Sequence, residues 1–204
     1  MILQVSKLGF SYPGHPVFTD LSANVSPGVT LIQGGDGRGK TTLMRLLAGD
    51  LIATAGDLTI NGTSLSSAPA DYRKQLFWTD PRTEAFDQVV ASDFFSQQRA
   101  LYPGFDDAVL AKLVTGLDLE SHVHKKLFML STGSKRKVLM AAALASGAPL
   151  TLLDMPFAAI DKPSKDFLLG QFRIATESSD RAVIVADYEP PEGVRLAGVL
   201  DLGD

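Results

Sequence analysis

The sequence of 204 residues contains no cysteine, which excludes disulfide bonds, thiolate zinc sites, iron–sulfur clusters and a cysteine nucleophile. It also has no excess of basic charge. With 19 basic and 23 acidic residues the net charge is −4, which argues against a protein that coats nucleic acid. The longest apolar stretch, residues 138–153, is interrupted by Ser, Gly, Pro and Thr. It falls short of the roughly 20 apolar residues that a membrane-spanning helix needs. Because the N-terminus also lacks a basic leader and a cleavage site, we expect a soluble, cytoplasmic protein.

The length favours a single domain over residues 1–204. Short β-branched and apolar runs between Gly and Pro turns predict strands in the first 60 residues, and an apolar run directly after a glycine-rich segment predicts a helix. The predicted strands are 2–5, 17–25, 29–33 and 56–60, and the predicted helix is 41–48.

The middle of the chain has helical patterning. Ser92 is a candidate cap for a helix beginning at Asp93, Asp106 and Asp107 can start one that runs toward Gly116, and Ser131 can cap one that ends near Gly147. Two continuous apolar strands, 150–153 and 182–186, flank a helical stretch at 167–175. Such strands are typical of a parallel sheet covered on both faces. The prediction is an α/β fold with a mainly parallel core sheet, an antiparallel β edge and a helical subdomain inserted at about residues 80–145.

The strongest motif is a complete G-x-x-x-x-G-K-[ST] loop between a predicted strand and a predicted helix. Its glycines allow successive N–H groups to converge on a phosphate, and the helix N-terminus adds a positive dipole end. Lys40 is expected to reach the β- and γ-phosphates, Thr41 to hold Mg²⁺, and Thr42 to bond the α-phosphate. The alternative is a glycine-rich turn followed by a chance Lys-Thr. The predicted nucleotide-binding residues are Gly34, Gly35, Asp36, Gly37, Arg38, Gly39, Lys40, Thr41 and Thr42.

Two downstream segments identify the kind of phosphate loop. Residues 150–154 form an apolar run that ends in Asp154, which is the form of the second nucleotide motif, whose Asp holds a magnesium-bound water. Between the two motifs, residues 130–134 read Leu-Ser-Thr-Gly-Ser, directly ahead of a predicted helix. With these motifs in this order, the sequence resembles the nucleotide-binding domain of ATP-binding-cassette (ABC) proteins, whose signature reads L-S-G-G-Q.

The resemblance extends over nearly the whole chain, from an aromatic segment at 9–14 to a strand-and-turn at 200–203. It implies a P-loop NTPase fold of ABC type and a Tyr12 that stacks on adenine. It also implies that two such domains sandwich two ATP molecules, so that Ser131 and Gly133 contact the partner's ATP. Thr132 and Ser134 replace the first glycine and the glutamine of the signature, while the contacting Ser131 and Gly133 are retained.

Three positions depart from the family pattern, and all three concern water and the γ-phosphate. Met155 occupies the place of the glutamate that acts as base or water orienter, and a thioether accepts no proton at neutral pH. Asp187 occupies the place of the switch histidine, where a carboxylate repels the γ-phosphate. Asp80 lies near the place of the glutamine that links magnesium to the helical subdomain. One interpretation is that Mg–ATP is bound but hydrolysed slowly. The other is that Asp187 or Asp80 orients the water, or that Asp80 binds Mg²⁺ directly.

The resemblance implies the ATP-binding subunit of an ABC transporter. Such a subunit would be an ATPase at the cytoplasmic face of the plasma membrane, with a separately encoded membrane subunit. It would dimerise with a second ABC domain, identical or related, and would need no nucleic acid. A non-transport ATP switch is an alternative of a different class. A free-standing P-loop phosphotransferase is a third, which the ordered signature disfavours.

Overall fold

The computed structural model describes residues 1–177 and 179–203. The strands it contains are β1 Leu3–Tyr12, β2 His15–Val25, β3 Gly28–Gln33, β4 Ala55–Ile60, β5 Thr63–Ser64, β6 Leu76–Phe77, β7 Leu150–Asp154, β8 Ala182–Ala186 and β9 Leu196–Asp201. The α-helices are α1 Lys40–Ala48, α2 Pro69–Arg73, α3 Ala91–Leu101, α4 Asp107–Gly116, α5 Thr132–Ala145 and α6 Lys162–Ala175. In these ranges, no helix is long and apolar enough to cross a membrane.

A five-stranded parallel sheet, in the order β6-β7-β8-β3-β9, forms the centre of the molecule. Every residue of β7 and β8 is buried because α1 packs against one face of the sheet while α5 and α6 pack against the other. Successive side chains alternate between two hydrophobic clusters. Leu152 and Ile184 belong to the cluster on the α1 side, and Leu153 and Val185 belong to the opposite one. The predicted parallel core covered on both faces is confirmed.

A second sheet, antiparallel and ordered β2-β1-β4-β5, covers α1 from outside. The buried side chains of β1 and β4 share one core with Leu43, Met44 and Leu46 of α1. The predicted antiparallel strands are therefore present, and they form a sheet of their own. This sheet supports α1 and the loop that precedes it.

Helices α3, α4 and α5 contribute side chains to one hydrophobic core, which includes the fully buried Phe94. Two predicted caps are confirmed. The carboxylate of Asp106 accepts hydrogen bonds from the backbone N–H groups of Ala108 and Val109, and the Ser131 hydroxyl accepts one from Ser134. Each of these side chains accepts hydrogen bonds from N–H groups of the first helical turn, which have no backbone partner inside the helix.

The prediction that Ser92 caps a helix beginning at Asp93 is wrong. Helix α3 begins at Ala91, and Val90 occupies the cap position without a side-chain hydrogen bond. The backbone provides the reason. The N–H groups of Ala91 and Ser92 donate to the carbonyls of Lys125 and Val123, so the first donors of α3 already have partners. A neighbouring segment therefore replaces the side-chain cap.

The three central strands end in register at one edge of the parallel sheet. Ala186 of β8 lies opposite both Ile32 of β3 and Asp154 of β7. The backbone continues this alignment, since the N–H of Asp187 donates to Ile32 O and that of Met155 donates to Ala186 O. The loop after β3 and the residues after β7 and β8 therefore meet at the edge where parallel α/β sheets bind ligands.

Candidate nucleotide site

The loop between β3 and α1 has a backbone that only glycine fits at its tightest point. Gly39 has a φ of 90°, and a Cβ there would lie 2.7 Å from Val17 Cγ1 and 3.0 Å from the Phe18 ring. Gly39 is also the N-cap of α1, and no side chain caps the helix there. The first N–H groups of α1 therefore face the loop with no side-chain acceptor, which is the arrangement of an anion site at a helix N-terminus.

Lys40 lies across this loop with its side chain largely buried. Its Nζ donates to the carbonyls of Gly34 and Gly35 at 2.5 and 3.0 Å, and it lies 4.1 Å from the centre of the Tyr188 ring. The ammonium group is thus held against the loop backbone, and Lys40 lines the cavity that the loop borders.

Thr41 and Asp154 lie together although they are far apart in sequence. The Thr41 hydroxyl donates to Asp154 Oδ2 at 2.7 Å, while Asp154 Oδ1 is buried and has no hydrogen-bond partner among the described residues. Burial raises the pKa of Asp154, and the Thr41 hydrogen bond and the positive charges of Arg82 and Arg136 partly oppose that rise. A hydroxyl beside a carboxylate with a free oxygen is a donor set that suits Mg²⁺. These two residues therefore fit the ion that the sequence predicts.

Met155 follows Asp154 in a left-handed conformation, with a φ of 49°. Its N–H is bonded to β8 and its carbonyl accepts a hydrogen bond from the Arg136 guanidinium, so contacts from two elements hold the strained backbone. The residue lines the same cavity, of about 250 Å³, as the phosphate loop and Asp154. The side chain that follows Asp154 at this cavity is therefore a thioether.

Asp187 directly follows β8 and is only partly exposed. Its Oδ1 accepts a hydrogen bond from the Tyr188 N–H at 2.8 Å. Burial raises the pKa of Asp187, and the charges of Lys165 and Lys40 act in the opposite direction. Asp187 lines a neighbouring cavity with Lys165 and Phe157, and it is not among the residues described around the phosphate loop.

Two residues outside the predicted set also line the phosphate-loop cavity: Arg82 and Tyr188. The predicted residue Asp80 accepts a hydrogen bond from the Arg82 N–H at 2.9 Å, and its negative charge raises the pKa of Asp154. Asp80 therefore lies close enough to influence Asp154, while Arg82 is the side chain that borders the cavity. Arg82 could have been found from the sequence only through its closeness to Asp80, two residues before it.

Tyr12 lies beside the loop, at the end of β1. Its hydroxyl is 3.3 Å from Thr42 Oγ1, and its ring meets that of Phe10 edge-on at 4.9 Å between centroids. Tyr12 is 40% exposed as a residue, and its side chain lies beside the phosphate loop. Such an aromatic side chain can stack on a base.

Ser131 and Gly133 lie at the start of α5, away from the residues that line this cavity. Gly133 packs tightly against the loop after β7, because a Cβ there would lie 2.3 Å from the carbonyl oxygen of Ala159. The same loop ends at Asp161, which caps α6 by accepting from the Ser164 N–H and pairs with Lys137 at 2.5 Å. The signature segment is thereby fixed to the segment that carries Asp154 and Met155.

Comparison with known proteins agrees with this architecture. Residues 18–158 match the family model described as ABC transporter. Among curated proteins, the chain is similar to Taurine import ATP-binding protein TauB from Pseudomonas putida, with 26% identity over 98% of this chain and 78% of the relative. The protein of the same name from Yersinia pestis bv. Antiqua is 28% identical, with the same coverage.

Solved structures show the same fold. An ATP-binding subunit of an ABC transporter superposes with a TM-score of 0.81, at 22% identity over 91% of this chain and 79% of that one. An ABC transporter ATP-binding protein from Pyrococcus furiosus superposes with a TM-score of 0.79, at 22% identity over 99% of this chain and 98% of that one.

Proposed function

This chain belongs to the ABC transporter family, and we propose that it is the ATP-binding subunit of an ABC transporter that binds Mg–ATP at residues 34–42. The observation that carries the proposal is the pairing of Thr41 with Asp154 beneath the uncapped N-terminus of α1. A triphosphate needs N–H donors for its anionic oxygens, and the metal ion bound to it needs a carboxylate close by. This arrangement provides both.

Each residue of the loop has a distinct task in this proposal. The N–H groups of residues 34–39 and of the first turn of α1 bind the phosphates, and Lys40 pairs with the β- and γ-phosphates. Thr42 bonds the α-phosphate, and Tyr12, whose hydroxyl already neighbours Thr42, stacks on the base. Thr41 and Asp154 hold Mg²⁺, which offsets negative charge on the phosphates when bound. Asp80 stays a candidate for an additional contact to the ion.

Hydrolysis is proposed to be slow. The Met155 side chain can neither accept a proton from water nor hold it firmly, and Asp187 is engaged with the backbone of Tyr188. Loss of a general base costs roughly 100- to 10,000-fold in rate. ATP therefore stays bound long enough to keep a dimer closed.

In the proposed dimer, each chain supplies hydrogen-bond donors to the γ-phosphate bound by the other chain. Ser131 is exposed at the N-terminus of α5, where N–H donors and the helix dipole can face the γ-phosphate of a second ABC domain. The second domain is a copy of this chain or a relative. Closure then acts on a separately encoded membrane subunit, which holds this chain at the inner face of the plasma membrane.

Calorimetry with ATP and Mg²⁺, on the wild type and on Lys40→Ala, tests the binding step. We expect heat of binding in the wild type and its loss in the variant. Measurement of mass in solution should show a dimer only with Mg–ATP, and co-purification with a protein containing several apolar segments of about 20 residues should identify the membrane partner. Absence of binding in the wild type would refute the assignment, and a soluble partner would favour an ATP switch that does not transport.

A further inference from the structure

The two residues after β8 differ in what they face. Asp187 lines the cavity on the Lys165 side and not that of the phosphate loop, while Tyr188 lines both. The Tyr188 ring lies over Lys40 Nζ at 4.1 Å, and its hydroxyl donates to Asp36 Oδ1 in the loop itself. The residue that reaches the phosphate loop from β8 is thus the tyrosine and not the carboxylate that precedes it.

The hydroxyl of Tyr188 is a donor that already serves an anion. The hydrogen bond to Asp36 raises the pKa of Tyr188, so the phenol keeps its proton at neutral pH. Asp36 and a γ-phosphate are both anionic acceptors at the mouth of the same loop. An ionised acceptor strengthens a hydrogen bond about twofold in either case, and the γ-phosphate carries more negative charge than one carboxylate, so a phosphate beside Lys40 competes effectively for this donor.

Asp187 cannot perform this task. Ionised, it offers only acceptors, and its Oδ1 already accepts from the Tyr188 N–H. One oxygen of Asp187 is thus bonded to the backbone of the next residue, and it is the phenol ring of that residue that lies over Lys40.

We propose that Tyr188 recognises the γ-phosphate, its hydroxyl moving from Asp36 to a γ-phosphate oxygen held by Lys40, so that this residue distinguishes ATP from ADP. The inference rests on the proposed function, because it requires a triphosphate in the loop. ADP lacks the group to which the phenol donates, so the contribution of Tyr188 is expected only with ATP.

Equilibrium binding of a non-hydrolysable ATP analogue and of ADP, each with Mg²⁺, tests this on wild type, Tyr188→Phe and Tyr102→Phe. Tyr188→Phe keeps the ring over Lys40 and removes only the hydroxyl. We expect its Kd for the ATP analogue to rise by up to about tenfold, because the variant loses the amount by which the bond to the γ-phosphate exceeds the bond to Asp36 that it replaces, with the Kd for ADP unchanged. Tyr102→Phe is the matched control. Its hydroxyl donates to Leu76 O at 3.0 Å in the core, so it should lower the unfolding midpoint without altering the ratio of the two Kd values.

If the ratio of the two Kd values in Tyr188→Phe equals that of the wild type, the inference is overturned. This holds whether both Kd values stay constant or both rise equally, because the hydroxyl then makes no contact that only ATP provides. Lys40→Ala separates this from failure of the proposed function. If wild type and Lys40→Ala both fail to bind either nucleotide, the site itself is refuted, and the role of Tyr188 with it.

Discussion

Two parts of the proposed site can be compared: the loop proposed to hold the phosphates and the sheet edge proposed to hold the attacking water. The loop has the side chains that its task requires, and the edge does not. On the loop side, Lys40 and Thr41 lie beside an uncapped helix N-terminus, and Thr41 bonds to Asp154. On the water side, Met155 offers no base and Asp187 is bonded to backbone. The two sides use different side chains, although Asp154 and Met155 are neighbours in sequence, so one side can keep its function while the other loses it. In the proposed function, binding and cleavage of ATP are therefore separable properties of this site.

The largest expected effect comes from restoring a base on the water side. Met155→Glu places a carboxylate beside the proposed position of the water, and we expect phosphate release to rise about 100-fold or more. Phosphate release from purified wild type, Met155→Glu and Lys40→Ala measures this. A wild-type rate well above that of Lys40→Ala, and unimproved by Met155→Glu, would show that other groups compensate for the methionine.

The next largest effect is expected from loss of the proposed contact between Asp154 and Mg²⁺. Asp154→Asn removes the charge that faces Mg²⁺, and we expect the Mg²⁺ affinity of the ATP complex to fall about 10- to 100-fold, as for groups that orient a bound metal. Magnesium titration of the bound nucleotide measures the change. Asp80→Asn serves as the comparison, and an equal loss there would make Asp80 a direct ligand and contradict the smaller role expected for it.

The pH dependence of Mg–ATP binding should give a smaller effect with a defined sign. Burial raises the pKa of Asp154. As the solution is acidified, Asp154 therefore becomes protonated at a higher pH than an ordinary carboxylate does. Mg²⁺-dependent binding should fall with it. Arg82 lowers the pKa of Asp154, so Arg82→Gln should shift the midpoint to still higher pH. A midpoint that moves down or stays constant in Arg82→Gln would contradict this electrostatic coupling.

The smallest effect concerns the loop that follows Met155. Asp161→Ala removes the cap of α6 and the partner of Lys137, and we expect the free energy of unfolding to fall by about 1 kcal/mol. Urea denaturation measures it, with the exposed Asp166→Ala on the same helix as the control. Equal stabilities of the two variants would mean that this loop is held by other contacts.

Local sequence predicted the parts of the site whose geometry is local. The spacing of glycines before Lys40 predicted the loop, and an apolar strand ending in Asp154 predicted the position of the carboxylate. The caps at Asp106 and Ser131 followed from side chains that bond within their own helix.

Tertiary contacts determine the rest, and they were not predicted. Ser92 was mistaken for a cap because backbone carbonyls from Val123 and Lys125 supply what a cap would supply. Tyr188 meets Lys40 and Asp36 only after β8 and β3 have paired, so nothing in its immediate sequence marks it as a neighbour of the loop. The support of Met155 by Arg136 likewise joins two elements through a backbone carbonyl.

Identification of the nucleotide that stays bound tests the central claim most directly. Wild-type protein and Met155→Glu are each incubated with Mg–ATP, separated rapidly from free nucleotide, and the bound nucleotide is analysed over time. The account predicts that the wild type retains ATP while Met155→Glu yields ADP. Recovery of ADP from the wild type as fast as from Met155→Glu would contradict it.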